Sequence, residues 1–120
     1  MEVLNLVVYN NDPRTAQSLA VGLSQHFGSV DLARGYEEVR SAIRRNRADV
    51  LVLDLEASRS DDIERLHGEF PSLCIVCTHR LADEELWTEA MNHGAADVCE
   101  PRNDQVVSSV LRECMHQAAA

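Results

Sequence analysis

Asp54 follows the run Val50-Leu51-Val52-Leu53 with no spacer. Four consecutive apolar residues read as a strand buried on both faces, and a carboxylate at its end costs stability unless it has partners. Two chemistries suit such a group: nucleophilic attack and metal ligation. Polar residues end two other apolar runs in the same way, Asn10, Asn11 and Asp12 after the first and Thr78 after the fourth. If those run ends meet, Asp54 has neighbours to work with.

The elements that would bring them together follow from apolar period. Short apolar runs alternate five times with stretches of helical spacing, a βα unit repeated five times. The first strand is read over Val3 to Tyr9. Asp12 and Pro13 open a helix with Ala16, Ala20, Leu23 and Phe27 on one face, closed by Gly28. Val30 and Leu32 mark a short second strand, and Tyr36, Val39, Ala42 and Ile43 the next helix. Val50 to Leu53 form the third strand. A third helix carries Ile63, Leu66 and Phe70 and stops at Pro71, and Leu73 to Cys77 make the fourth strand. Asp83 caps a fourth helix reaching about Asn92, with Leu86 and Ala90 inward, and Gly94 ends it before a brief strand over Asp97 to Cys99. The last helix shows Val106, Val107, Val110, Leu111 and Cys114 at core spacing.

Right-handed crossovers put helices on both faces of a parallel sheet. The expected fold is therefore an α/β, flavodoxin-like doubly wound (βα)5 three-layer sandwich with strand order 2-1-3-4-5, occupying residues 1–117 with a tail at 118–120. The crevice of such a sheet opens at the carboxyl ends of strands one and three, where Asn10, Asn11, Asp12 and Asp54 are delivered with Thr78 beside them.

Composition removes several alternatives. The chain has 120 residues, 45% hydrophobic and 26% charged, which suits one domain with one core. Its formal charge of -9 opposes phosphate backbones and anionic membranes, so no direct nucleic-acid or membrane partner is expected. All eleven basic residues are Arg, so neither a P-loop lysine nor Schiff-base chemistry is available. Apolar runs fall far short of the roughly 20 residues of a membrane span, and no secretory leader is visible. A cytoplasmic address is expected. The four cysteines accordingly read as small hydrophobes. Cys74 and Cys77, three apart in one strand, face opposite ways, while Cys77 and Cys99 lie on neighbouring strands.

With these residues placed, the sequence resembles the receiver domain of bacterial response regulators along essentially its whole length. The likeness rests on Asp54 in Ala-Asp-Val-Leu-Val-Leu-Asp-Leu, Thr78 after the fourth strand, and Gly94-Ala95 followed by Pro101. It implies that Asp54 is the phosphoacceptor, that Thr78 is the hydroxyl that reads phosphorylation, and that Mg²⁺ is held by Asp54, Asp12 and the backbone carbonyl of Glu56. It also implies a histidine kinase or another signalling protein as partner.

The resemblance breaks at several positions. The family's acidic pair falls on Asn10 and Asn11, the lysine position is taken by Glu100 or lost to a one-residue deletion, and the strand-five aromatic is Val98. Ala57-Ser58 replaces Met-Pro. Two unit charges about 4 Å apart interact by about 4 kcal/mol at an effective dielectric near 20. At about 1.4 kcal/mol per decade, each missing carboxylate still costs on the order of tenfold to hundredfold in Mg²⁺ affinity after screening. The expectation is an atypical receiver without a tightly bound cofactor, binding Mg²⁺ weakly and phosphorylated little, in which Asn10 or Asn11 donates a hydrogen bond to Asp54. It is not expected to be an enzyme. A still-active receiver with unusual metal ligation is the alternative. A small hydrolase with Asp54 as nucleophile fits less well, because the haloacid dehalogenase pattern wants Asp where Glu56 stands. No Gly-rich or Ser/Thr-rich loop follows strand one, which disfavours a nucleotide or flavin binder.

Simpler readings stand beside these. Asp12 before a proline reads as a helix cap, alone or together with metal ligation, and Thr78 equally as a strand-end hydroxyl. His79 and His93 read as solvated. The cluster of Arg40, Arg44, Arg45 and Arg47 reads as a solvated helix face, with a grip on an acidic partner as the lesser alternative. Trp87 and Met91, spaced i, i+4, are placed opposite Leu86 and Ala90 as an outward apolar pair, a surface for a partner or a homodimer.

Overall fold

A computed structural model describes residues 3–115, so the expected domain end at 117 and tail at 118–120 lie outside the described residues. Strands β1 (Leu4–Tyr9), β2 (Gly28–Leu32), β3 (Val50–Asp54), β4 (Cys74–Thr78) and β5 (Asp97–Cys99) form one sheet in the order β2-β1-β3-β4-β5. All four pairings are parallel. Helices α1 (Pro13–Phe27), α2 (Tyr36–Asn46), α3 (Ser60–Glu69), α4 (Glu84–Asn92) and α5 (Asn103–Ser109) alternate with the strands, and α5 runs on into a π-helical turn over Val110–Cys114. This is the doubly wound sandwich that the alternating period implies.

The pleat divides the apolar residues into two layers. Leu6, Val8, Val50, Val52 and Val76 point towards α1 and α5, where they meet Leu19, Leu23, Phe27, Val106 and Val110. Val7, Leu51, Leu53, Ile75 and Val98 point the other way, onto Val39, Ile43, Ile63, Leu66 and Ala90 of α2, α3 and α4. Every residue of β3 and of β4 is buried, as expected of central strands in a parallel sheet.

Local signals in the sequence act as expected at both ends of α1. The Asp12 carboxylate accepts from the Arg14 N–H, Pro13 fills the first turn, and Gly28 closes the helix at φ 103°, a conformation that side chains disfavour. Asp83 caps α4 by accepting from the Leu86 N–H. Two core assignments shift. Leu19 rather than Ala20 is the fully buried residue of α1, and Leu111 is exposed on the outside of the π turn.

The cysteine expectation needs correction at two positions. Cys74 and Cys114 form a disulfide across 40 residues, whereas Cys77 and Cys99 are free and buried. Cys74 and Cys77 do face opposite layers. Cys77 and Cys99 do too, despite lying on adjacent strands, because the register pairs Cys77 with Val98 and Thr78 with Cys99.

Candidate functional site

The carboxyl ends of β1, β3 and β4 converge on a cleft of about 210 Å³ lined by Asn10, Asn11, Asp12, Thr15, Asp54, Glu56, Arg80 and Pro101. Asp54 lies at its floor, only 3% exposed. A buried carboxylate must be hydrogen-bonded, and the two loops around it supply the donors. The Asn11 N–H donates to Oδ2 at 3.0 Å and the Glu56 N–H to Oδ1 at 2.9 Å. Both are backbone groups, so Asp54 is held by the path of the chain rather than by an amide side chain.

The asparagine side chain at position 10 acts locally. Asn10 Oδ1 accepts from the Asp12 N–H at 2.9 Å, which shapes the β1–α1 loop. Asp12 is committed to its helix: its carboxylate takes the Arg14 N–H at 3.3 Å and the Thr15 hydroxyl at 2.7 Å. The Thr15 bond is the main reason its carboxyl is held below the ordinary range, a partner for the charged form outweighing partial desolvation.

Glu56 contributes a side chain that the sequence reading did not use. Its carboxylate receives the Arg80 N–H at 3.2 Å, Nε at 2.9 Å and a second guanidinium nitrogen at 2.8 Å. Arg80 is thus a cation at the mouth of the Asp54 cleft, carried by the β4–α4 loop. Its hydrogen bonds hold the Glu56 carboxyl below its usual range, and Glu56 in turn raises the guanidinium. Sequence reasoning looked for a basic residue only after the fifth strand. The available signal was the pair of spacings, Glu56 two residues beyond Asp54 and Arg80 two beyond Thr78, on strands whose ends are in register.

Thr78 is paired in register with Asp54 and is 1% exposed. Its carbonyl accepts from the Leu55 N–H, but its hydroxyl has no hydrogen-bond partner. Glu100 is turned out of the cleft, with a carboxylate oxygen 3.6 Å from Arg102, and Pro101 lines the wall instead. Among the described residues no group of three or more His, Cys, Asp or Glu side chains is arranged to hold a metal ion.

The remaining candidates lie away from the cleft. His79 Nδ1 accepts from the Leu81 N–H, and His93 Nδ1 meets the Glu89 carbonyl, so both rings are engaged locally. Three of the α2 arginines are paired within the molecule, Arg40 and Arg44 with Glu69 and Arg45 with Asp31. Trp87 and Met91 do not form one outward pair. Trp87 is 43% exposed, with its indole N–H directed at Asp97 at 3.3 Å, while Met91 packs against the core layer beside Leu86. Successive helix residues are only about 100° apart, which places Met91 on the flank of the buried stripe.

Asp97 is the centre of a second polar cluster. This buried carboxylate accepts from the Val98 N–H, the Ser109 hydroxyl at 2.7 Å, Arg112 at 2.7 Å and the Trp87 indole, tying α4, β5 and the final helical segment together.

Solved structures share this fold. NtrX from Brucella abortus in complex with ADP matches with a TM-score of 0.87 at 17% identity, over 98% of this chain and 27% of that one. A CheY-like response regulator receiver domain protein from Methanospirillum hungatei JF-1 gives 0.80 at 16% identity over 98% of both chains. A CheY-like protein, tadZ, from Pseudomonas aeruginosa PAO1 gives 0.74 at 23% identity over 93% of both. The chain thus spans about a quarter of the NtrX chain and nearly all of the other two. No protein-family model matches the sequence, and no curated protein matches it. At these identities the likeness establishes the fold, that of a response-regulator receiver domain.

Proposed function

We propose that this chain, having the receiver-domain fold, is a receiver-like signalling module of atypical kind in a two-component or phosphorelay setting. It acts through protein contacts, with little or no Mg²⁺-dependent phosphorylation of Asp54. The observation that carries this reading is that the charged groups of the cleft are already engaged. Asp54 is held by two backbone N–H groups, Asp12 by the start of α1, and Glu56 by Arg80.

Family chemistry needs Mg²⁺ to neutralise the transferring oxygens and a cation to grip them. The residues present do not fit that ion. Neutral Asn10 and Asn11 occupy the acidic-pair positions, Glu100 stands near the lysine position, and the guanidinium of Arg80 repels a second cation. The module is a binding partner rather than an enzyme, with a cytoplasmic histidine kinase or another signalling protein as its counterpart. The Trp87 face of α4 is offered for that contact or for a homodimer.

One observation favours a second reading, an active phosphoacceptor with unusual metal ligation. The unpaired Thr78 hydroxyl lies beside Asp54, where an added phosphoryl oxygen would give it an acceptor. Incubation with acetyl phosphate and Mg²⁺, followed by intact mass measurement, separates the two. The proposed reading expects unmodified protein. Stoichiometric phosphorylation that disappears in Asp54→Asn would establish the second.

A further inference from the structure

We propose that Cys74 and Cys114 are a redox-governed clasp that fixes the C-terminal helical segment to the sheet. The clasp does not depend on the chemistry at Asp54. Cys74 is the first residue of β4 and Cys114 the last of the π turn, both are buried, and their Cα atoms lie 5.7 Å apart. The bridge therefore joins a central strand to the outermost helical turn of the α1/α5 layer.

The fold restricts oxidation to this pair. Cys77, three residues along β4, faces the opposite layer. Cys99 shares a layer with the pair, but its register partner is Thr78, four residues beyond Cys74. At about 3.3 Å per residue that is roughly 13 Å away. Oxidation has one intramolecular product.

The clasp also sits beside the Asp97 cluster. Ser109 and Arg112, which both donate to Asp97, belong to the segment that Cys114 anchors, and the same carboxylate receives the Trp87 indole N–H. Opening the bridge frees the end of that segment. The change passes through Asp97 to α4.

The step balances as thiol–disulfide exchange with a small-molecule disulfide such as oxidised glutathione. One cysteine thiolate attacks the small disulfide, forming a mixed disulfide and expelling one glutathione thiolate. The other cysteine thiolate then attacks the protein-bound sulfur and expels the second. Two protons leave the cysteines, and two electrons reside on the two glutathione thiols. Reduction is the reverse. Because both sulfurs are buried, exchange waits on local opening of the final turn.

Thiol counting in denaturant on protein purified without reductant is expected to label Cys77 and Cys99 only, with a linked Cys74–Cys114 peptide. Equilibration in glutathione buffers of graded ratio is then expected to convert that pair alone in one step. Emission from Trp87, the chain's one tryptophan, should change in parallel, and amide exchange across residues 103–114 should quicken at least tenfold on reduction. Cys74→Ser and Cys114→Ser should each abolish the response, and the wild-type titration stands alone if neither folds. Four labelled thiols at every ratio overturn the proposal. So does a bridge whose reduction changes neither emission nor exchange, or a response retained in either serine variant.

Discussion

Arg80 is the basic residue that lines the cleft around Asp54. A cleft with Asp12, Asp54 and Glu56 would be strongly anionic, and the guanidinium on Glu56 offsets part of that charge without a metal. Because the pair lowers the Glu56 carboxyl, the stabilisation it gives is present above the ordinary glutamate range and is lost as pH falls through the lowered folded value. Arg80→Gln is therefore expected to reduce the urea midpoint at neutral pH, with the gap from wild type closing in acid as the pH falls below the ordinary glutamate range. A gap that widens in acid would assign the effect elsewhere. Thr78 gives the opposite sign. Its hydroxyl is buried without a partner, so Thr78→Val, nearly the same shape, should stabilise by about 1 kcal/mol in urea unfolding. A loss of similar size would show that the hydroxyl has an acceptor.

The elements were legible where local chemistry decides them. Asp12-Pro13 and Gly28 bound α1, Asp83 starts α4, and the apolar run ending in Asp54 is the central strand, all as the sequence implies. The contacts that cross between elements were not. The Glu56–Arg80 pair spans 24 residues, and it needs the ends of β3 and β4 side by side before either spacing means anything. The disulfide depends on the rotation of the last helical segment over the start of β4, which apolar period leaves open because Cys114 also suits a core stripe. Met91 packs on the flank of the buried stripe, which its i, i+4 spacing from Trp87 does not reveal. Between elements, Asp97 is the most consequential polar residue: it holds donors from α4, α5 and the π turn. Asp97→Ala strands buried donors and should cost about 2–3 kcal/mol in urea unfolding, with a shift in Trp87 emission. Asp97→Asn, which keeps an acceptor oxygen, should cost less.

Across the whole molecule, the carboxyl edge of the sheet and one of its faces carry separate tasks. The carboxyl edge presents a cleft whose groups satisfy one another, and the α1/α5 layer is closed by a covalent bridge. A cross-link between residues 40 apart removes about 4 kcal/mol of loop-closure freedom from the unfolded chain on the chain-entropy account. Reduced protein should therefore unfold at lower urea, and the same loss should appear in Cys114→Ser under oxidising conditions. On the proposed reading stability should also be insensitive to Mg²⁺, since among the described residues no three His, Cys, Asp or Glu side chains are grouped to hold a metal ion. A rise of many degrees in melting temperature at millimolar Mg²⁺ would contradict that.

Adding beryllofluoride, a phosphoryl mimic, with Mg²⁺ to the isotopically labelled protein tests the account at its centre. On the proposed reading, in which the cleft neither gathers the metal nor releases Arg80, amide resonances of Asp54, Glu56, Thr78 and Arg80 should keep their positions. Saturable shifts at those amides, absent from Asp54→Asn, would mean that the cleft accepts a phosphoryl group after all.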